Sequence, residues 1–202
     1  SRYTDTTATF VNQTANTYTI RYTLTDATGE SSTDQLSITV NPNPSPNLPD
    51  SAFVCAKSSL VLDGNPSGGS GTYAQHNWTG DIHALDNASK QNPVFRNNTA
   101  TDYELWYQVT DSRGCKGRDT IIVTNHSLPV PAYLSNPPQG CSPLDVQFTN
   151  QSTNAVQYRW DFGDGGSSQD ESPAHQFKNN TDKNQFINVK LIATSNKGCV
   201  DS

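Results

Sequence analysis

The sequence repeats itself at a spacing of 85 residues. The segment 10–30, FVNQTANTYTIRYTLTDATGE, matches the segment 95–115, FRNNTATDYELWYQVTDSRGC, at this constant offset. A third copy covers 177–199 and carries two extra residues after Thr181. Self-similarity at a fixed period is typical of chains built from successive copies of one small structural unit. The sequence therefore predicts a series of similar domains.

Aligning the copies predicts where the domains begin and end. We expect the C-terminal part of a first repeat at 1–42, a second repeat at 43–127, and a third repeat, lacking its last strand, at 128–202. The first copy starts midway and the third stops after Cys199, so we expect the chain to be a piece of a longer polypeptide. Proline-rich segments at 41–49 and 128–138 favour extended, semi-rigid linkers.

Each copy contains a segment in which apolar and polar residues alternate. Alternation with a period of two is typical of strands that bury one face. A glycine-containing turn signal follows each segment, and no amphipathic helix is predicted. The Cys…Trp…Cys order adds to this pattern, so we predict an all-β chain of tandem immunoglobulin-like β-sandwiches arranged as beads on a string. Trp78 and Trp160 are expected in the cores, and the alternating apolar sets are Tyr18, Ile20, Tyr22, Leu24; Tyr103, Leu105, Tyr107, Val109; and Ile187, Val189, Leu191, Ala193.

Charge and motif content exclude several classes of function. The net charge is −6 and no Lys/Arg cluster is present, which argues against nucleic-acid binding. No run of 18 apolar residues exists, so no membrane span is expected in this segment. Nucleophile-elbow, zinc-protease and glycine-rich phosphate motifs are missing, so we predict no enzyme activity.

Four cysteines predict disulfides. None belongs to a C-x-x-C pair, which argues against zinc. The two successive pairs are separated by 60 and 58 residues, which suggests one cross-link in each repeat, although the other pairings stay open. Disulfides indicate an oxidising, extracytoplasmic location. The four residues are Cys55, Cys115, Cys141 and Cys199.

The segment WDFGDG at 160–165, followed by SPAHQF, resembles the signature of the PKD (polycystic kidney disease) domain. The region 139–202 is similar to bacterial PKD domains, and the second repeat resembles related PKD/Ig-like and SprB-type repeats of very large surface proteins of gliding bacteria. The second repeat departs from the signature at 78–81, where it reads WTGD, and the first has Glu30 at the cysteine position. The signature residues are Trp160, Asp161, Phe162, Gly163, Asp164 and Gly165.

The resemblance implies a non-catalytic, extracellular array on a bacterial surface or secreted from the cell, often through type IX secretion. Such arrays serve as adhesin stalks, in gliding or attachment, or as spacers. The implied partners are neighbouring repeats, surface polysaccharide or other envelope proteins. The main alternative is a carbohydrate-binding or spacer module of a secreted polysaccharide-degrading enzyme, and a further one is a structural component of an envelope complex.

Two groups of residues are candidates for binding. Asp161 and Asp164 could supply hard oxygen ligands for calcium, the one cofactor considered, but the interpretation we favour is that both aspartates accept backbone N–H bonds within a glycine turn. Trp106 falls on the polar face of its predicted strand. There it could stack on a sugar or anchor an interface, whereas contact with a neighbouring repeat or its own loops is the plainer interpretation.

The resemblance to proteins of type IX secretion also implies O-glycosylation at Asp-Ser/Thr followed by a small or aliphatic residue. Three such sequences are present, and Ser51 lies beside a predicted linker. The candidate O-glycosylation residues are Ser51, Thr6 and Thr120.

Overall fold

The computed structural model describes residues 9–202. Their regular structure is β-strand apart from one 3-10 turn at Ile82–Ala84, which confirms the predicted all-β class. No helix in this part of the chain is long and apolar enough to cross a membrane. The strands are β1 (Asn16–Thr25), β2 (Ser31–Val40), β3 (Pro44–Ser45), β4 (Ser51–Cys55), β5 (Ser59–Val61), β6 (Ser67–Gly68), β7 (Tyr73–Gly80), β8 (Val94–Arg96), β9 (Asp102–Asp111), β10 (Lys116–His126), β11 (Tyr133–Asn136), β12 (Leu144–Asn150), β13 (Gln157–Asp161), β14 (Ser167–Ser168), β15 (Ala174–Phe177), β16 (Lys190–Thr194) and β17 (Val200–Asp201).

The chain forms two compact units. The first comprises Ser1–Asp50, Leu62–Pro93 and Glu104–Ile121, and the second comprises Ser51–Val61, Val94–Tyr103 and Ile122–Ser202. Both units contain parts of the predicted second repeat. The domain boundaries predicted from the repeats, at 1–42, 43–127 and 128–202, therefore stay predictions.

The hairpin β1–β2 belongs to the first unit and pairs without interruption from Asn16↔Val40 to Thr25↔Ser31. Its apolar face is not half-buried as its alternation predicted, because Tyr22 and Leu24 are 61% and 60% exposed. The hairpin is a sheet of two strands only. An alternating strand buries its apolar face only where a second layer covers it, and among residues 9–202 no such layer covers Tyr22 and Leu24.

Strand β9 shows the predicted alternation in full. It lies in a four-stranded sheet of order β4-β10-β9-β7, and its residues alternate between buried and accessible along the strand. The predicted apolar face is almost completely buried, with Trp78 of β7 packing on Tyr107 at a centroid distance of 4.7 Å. The predicted core position of Trp78 is confirmed. The buried β9 residues are Tyr103, Leu105, Tyr107 and Val109.

The proline-rich segments pair in sheets and do not run as free spacers. In the first unit, β3 pairs with β6, and Pro44 and Pro46 are buried. A Cβ atom on Gly117 would lie only 1.9 Å from the Pro44 carbonyl oxygen, so this segment lies directly against β10. In the second unit, 133–136 forms β11 and pairs with β12. Their extended backbone was predicted correctly, but it is used for sheet pairing.

The second unit contains a sandwich of two sheets, with strand orders β11-β12-β15 and β14-β13-β16-β17. The strand predicted to include Ile187 and Val189 is shorter than expected, because β16 begins at Lys190. Trp160 is 0% exposed, which confirms its predicted core position. The residues that fill the space between the sheets are Val146, Phe148, Trp160, Phe162 and Leu191.

Candidate functional sites

The WDFGDG segment is the turn that connects β13 to β14. Trp160 pairs with Ser168 and Asp161 with Ser167, and the Phe162 N–H donates to the Gly166 carbonyl at 3.0 Å. Gly163 has φ of +75°, and a Cβ atom there would lie 2.5 Å from the Asn188 carbonyl oxygen. Only glycine fits such a position without strain.

The two candidate calcium ligands are acceptors within this turn. Asp161 Oδ1 accepts the Gly163 N–H at 3.0 Å, and Asp164 Oδ1 accepts the Gly166 N–H at 2.9 Å. The second oxygen of Asp164 accepts a bond from His175 Nε2 at 2.8 Å. These are the hydrogen bonds expected if both aspartates accept backbone N–H groups within a glycine turn, which is the interpretation favoured from the sequence.

His175 joins the turn to strand β15, a contact that the sequence alone did not reveal. Its ring stacks on Phe162 at a centroid distance of 4.0 Å and an interplanar angle of 9°. The hydrogen bond from His175 lowers the pKa of the Asp164 carboxyl, and the Gly166 N–H adds to this while partial burial opposes it. The pair therefore stabilises the ionised carboxylate of Asp164 in the folded state.

We expect the Asp164–His175 pair to make the third repeat sensitive to acid. Because the pKa of Asp164 is lowered on folding, its contribution to stability is complete above the ordinary value of 3.8 and is lost as pH falls through the folded-state value. Asp164→Asn should lower the melting temperature at pH 7 and flatten its dependence on pH below 4. Thermal unfolding from pH 7 to pH 2 measures both effects. Asp182→Asn, at an exposed loop residue, is the control; an Asp164→Asn profile parallel to that of the unmodified chain would contradict the assignment.

Calcium binding by Asp161 and Asp164 stays a prediction. Residues 9–202 contain no group of three or more His, Cys, Asp or Glu side chains placed to hold a metal ion. Calcium at this turn would have to draw further oxygen ligands from the backbone or from water. A calcium-dependent rise in melting temperature that Asp161→Asn abolishes would support it, and an unchanged melting temperature would exclude it.

The turn after the alternating strand has the same hydrogen bonds in all three copies. Its first side chain accepts backbone N–H groups two and four residues later: Asp26 from Thr28 and Glu30, Asp111 from Arg113 and Cys115, and Ser195 from Lys197 and Cys199. In each copy the fourth residue is a glycine with positive φ. The turn therefore places Cys199 where the second copy has Cys115 and the first has Glu30.

The disulfide in the structure differs from the predicted ones. Cys55 is bonded to Cys199, with a Cα–Cα distance of 5.6 Å, and Cys115 and Cys141 are free. The prediction of one cross-link within each repeat is therefore wrong. The bond instead joins the end of β4, in the second predicted repeat, to the turn before β17, in the third.

The position of Cys115 on its strand explains why it does not pair with Cys55. Cys55 lies opposite His126, the last residue of β10, whereas Cys115 immediately precedes the first. Eleven residues of strand span about 35 Å. A disulfide requires Cα atoms within roughly 7 Å, so these two cysteines lie at opposite ends of the strand.

Cys141 and Cys199 have different surroundings. Cys141 is free and exposed, three residues before β12 begins. Cys199 is 1% exposed and is bonded to Cys55.

Trp106 lies on the accessible face of β9, as predicted. It is 44% exposed and pairs across the sheet with Thr79. A Cβ atom on Gly80 would lie 2.7 Å from the indole ring, so the ring packs against the backbone of this glycine. Gln108, two residues further along the same face, accepts a hydrogen bond from Arg118 Nε at 2.8 Å. An exposed indole beside polar side chains suits stacking on a sugar ring.

The O-glycosylation candidates differ in accessibility. Ser51 is exposed at the first position of β4, and Thr120 is partly buried within β10. Thr6 lies outside the described residues. All three stay predictions.

Comparison with known families gives one match. Residues 131–202 match the model of the PKD domain, which confirms the resemblance that the WDFGDG segment suggested. The match covers the third predicted repeat, roughly a third of the chain. No curated protein matches this sequence significantly.

Solved structures similar to this chain include immunoglobulin-like and fibronectin-like proteins. The eight N-terminal Ig domains of Down Syndrome Cell Adhesion Molecule align over 78% of this chain and 31% of theirs, at 9% identity and a TM-score of 0.47. The fibronectin(III)-like modules of Clostridium thermocellum CbhA align over 74% and 84%, at 15% identity and 0.39. A nucleoside hydrolase-related protein from Saccharophagus degradans, associated with carbohydrate metabolism, aligns over 44% and 26%, at 15% identity and 0.37. This chain thus spans about a third or less of the first and last of these proteins.

Proposed function

We propose that this chain is a non-catalytic segment of a long extracellular repeat protein that acts as a stalk or spacer at a bacterial cell surface. A PKD-type sandwich is consistent with an adhesion or spacer module. The observation that carries the proposal is the recurrence of one strand–turn unit in three copies, with the same side-chain-to-backbone hydrogen bonds each time. A chain that repeats a structural unit and varies its surface is suited to setting a distance.

Three further features support this function. The proline-rich segment at 41–49 packs against β10, which limits its freedom to bend. The disulfide between Cys55 and Cys199 requires an oxidising compartment, as expected outside the cytoplasm. A long array also lets many weak contacts act together, so attachment needs no single strong site. The proposal includes a role in gliding motility and export by type IX secretion, both of which are implied only by the sequence resemblance.

The test is to identify the native polypeptide and its location. An antibody raised against the region 139–202 would be used to recover the parent protein from intact cells and from culture medium, followed by peptide mass spectrometry. We expect a very large chain that consists mostly of repeats and is accessible to the antibody on intact cells. A modest, released chain that carries a hydrolase domain would contradict the stalk function and favour an enzyme accessory.

Carbohydrate binding is the second candidate, and the exposure of Trp106 is the observation that favours it. We expect Trp106→Ala to abolish retention on the bound polysaccharide without lowering the melting temperature appreciably. Ile122→Ala is the matched control, because Ile122 is also apolar and also 44% exposed. Retention measured by affinity electrophoresis in gels that contain surface polysaccharide checks this. Equal retention of both variants and the unmodified chain would assign Trp106 a structural role.

A further inference from the structure

We propose that the Cys55–Cys199 disulfide is a mechanical bypass, which carries tension past the residues between the two cysteines. The bond closes a loop with a sequence separation of 144 residues, although its Cα atoms are 5.6 Å apart. Tension applied to the two chain ends follows the shortest covalent path. That path enters at Cys55, crosses the sulfur–sulfur bond and leaves at Cys199, so residues 56–198 are not stretched while the bond is intact.

Both attachment points are fixed in folded elements of the same compact unit. Cys55 ends β4, which pairs in parallel with β10 from Ser51↔Ile122 onward, and the next residue, Ala56, donates its N–H to the His126 carbonyl at 2.8 Å. Within this unit, tension on the N-terminal side can therefore detach only the five residues of β4. Beyond Cys55 the force passes into the disulfide.

The second attachment point is held by the turn before β17. The Cys199 N–H donates to Ser195 Oγ at 3.1 Å, and the Ser195 N–H donates to the Cys199 carbonyl at 2.8 Å. An ion pair joins Lys57 Nζ to Asp201 Oδ2 at 3.7 Å, so the chain segments on either side of the bond also lie close together. The segments that carry Cys55 and Cys199 are thus joined by this ion pair as well as by the disulfide.

The loop shields the PKD sandwich and leaves the first hairpin unshielded. All core residues between the two sheets of the sandwich lie between the cysteines. The hairpin β1–β2 precedes Cys55 and is stretched whether the disulfide is intact or reduced. Its extension of roughly 9 nm, at about 3.6 Å per residue, is an internal reference for the experiment. The inference goes beyond the proposed stalk function and does not depend on it, because it concerns the isolated chain.

The experiment is to stretch the 202-residue chain between handles at its two ends, before and after reduction. A dithiol donates two electrons and two protons to the bond, becomes a cyclic disulfide itself, and leaves Cys55 and Cys199 as thiols. The oxidised chain should release only residues on the N-terminal side of Cys55, about 20 nm of contour, together with the short C-terminal end. The reduced chain should release about 50 nm more.

Variants separate the bypass from other pairings. Cys55→Ser should release the extra 50 nm without reduction, whereas the double variant Cys115→Ser, Cys141→Ser should behave as the unmodified oxidised chain. Reduction of already folded, unmodified chain is the second route if Cys55→Ser does not fold. An oxidised chain that releases the full length would overturn the proposal. So would reduction that adds two separate steps of about 20 nm, which is the result for one cross-link in each repeat.

Discussion

Trp160→Ala should lower the free energy of unfolding of the PKD sandwich by about 3–5 kcal/mol. The indole is fully buried and lies 5.1 Å from the Tyr133 ring and 5.2 Å from the Phe148 ring. Its Nε1–H donates to the Asp170 carbonyl at 2.9 Å. Truncation would leave a cavity between the two sheets and would remove the hydrogen bond to the Asp170 carbonyl, and both losses are unfavourable.

Amide hydrogen exchange measures this loss of unfolding free energy in the strands that surround Trp160. Hydrogen exchange assigns the loss to individual strands, whereas a melting temperature of a chain with two compact units shows a change without locating it. Protection factors on β13 and β16 should fall by two orders of magnitude or more, which corresponds to about 3 kcal/mol. Trp106→Ala removes the same side chain from an exposed position and is the control. Unchanged protection on β13 in Trp160→Ala would show that the sandwich does not depend on this residue.

Gly80→Ala should destabilise β7 and β9 by several kcal/mol, by the sum of two effects. Gly80 has φ of +90°, a conformation that costs an alanine roughly 1–3 kcal/mol. An added Cβ atom would also lie 2.3 Å from the Glu104 carbonyl oxygen and 2.7 Å from the Trp106 ring. The backbone of β9 cannot move away without breaking its pairing with β7, so we expect both strands to lose protection from hydrogen exchange.

Gly71→Ala is the matched control for this experiment. Gly71 has φ of +75°, and no atom lies within 4 Å of the position its Cβ would take. Gly71→Ala therefore has the conformational cost alone. The difference in stability between the two variants measures the clash of the added Cβ at position 80 with Glu104 and Trp106. Equal effects of Gly80→Ala and Gly71→Ala would mean that Trp106 and Glu104 move aside freely. That result would contradict the close packing of the Trp106 ring on Gly80.

Much of the fold could be predicted because it depends on local pattern. The alternation in β9 gave the correct strand and the correct buried face, including the exposed position of Trp106. The identical alternation in β1 gave the strand but the wrong burial, because burial depends on a second layer and not on the strand itself. The period of a sequence determines which face is apolar, and only packing determines whether that face is covered.

The turn at 160–165 shows which contacts of the candidate site depend on residues outside the turn. Its glycines and aspartates predicted a tight turn, which the structure contains. The contact of Asp164 with His175 joins a turn residue to a residue of β15 that lies 11 positions later, and the short segment between them gave no signal of it. Stacking of His175 on Phe162 depends on how β15 aligns with β12, a register that the sequence did not determine.

The cysteine prediction failed for an instructive reason. Separations of 60 and 58 residues were interpreted as two equivalent cross-links. They are nearly equal because Cys55 and Cys141 occupy one repeat position, and Cys115 and Cys199 occupy another. Equivalent spacing shows that positions correspond between repeats and carries no information on which positions are close in space. The bond that forms joins one repeat to the next.

The most direct test of this account is a tryptic map of the oxidised chain without reduction. The four cysteines fall in four different tryptic peptides, which cover 22–57, 114–116, 119–159 and 198–202. We predict one linked pair, 22–57 with 198–202, and free thiols that can be alkylated in the other two peptides. Linkage of 22–57 to 114–116 together with 119–159 to 198–202 would place one disulfide within each repeat. That result would contradict the covalent connection between successive repeats.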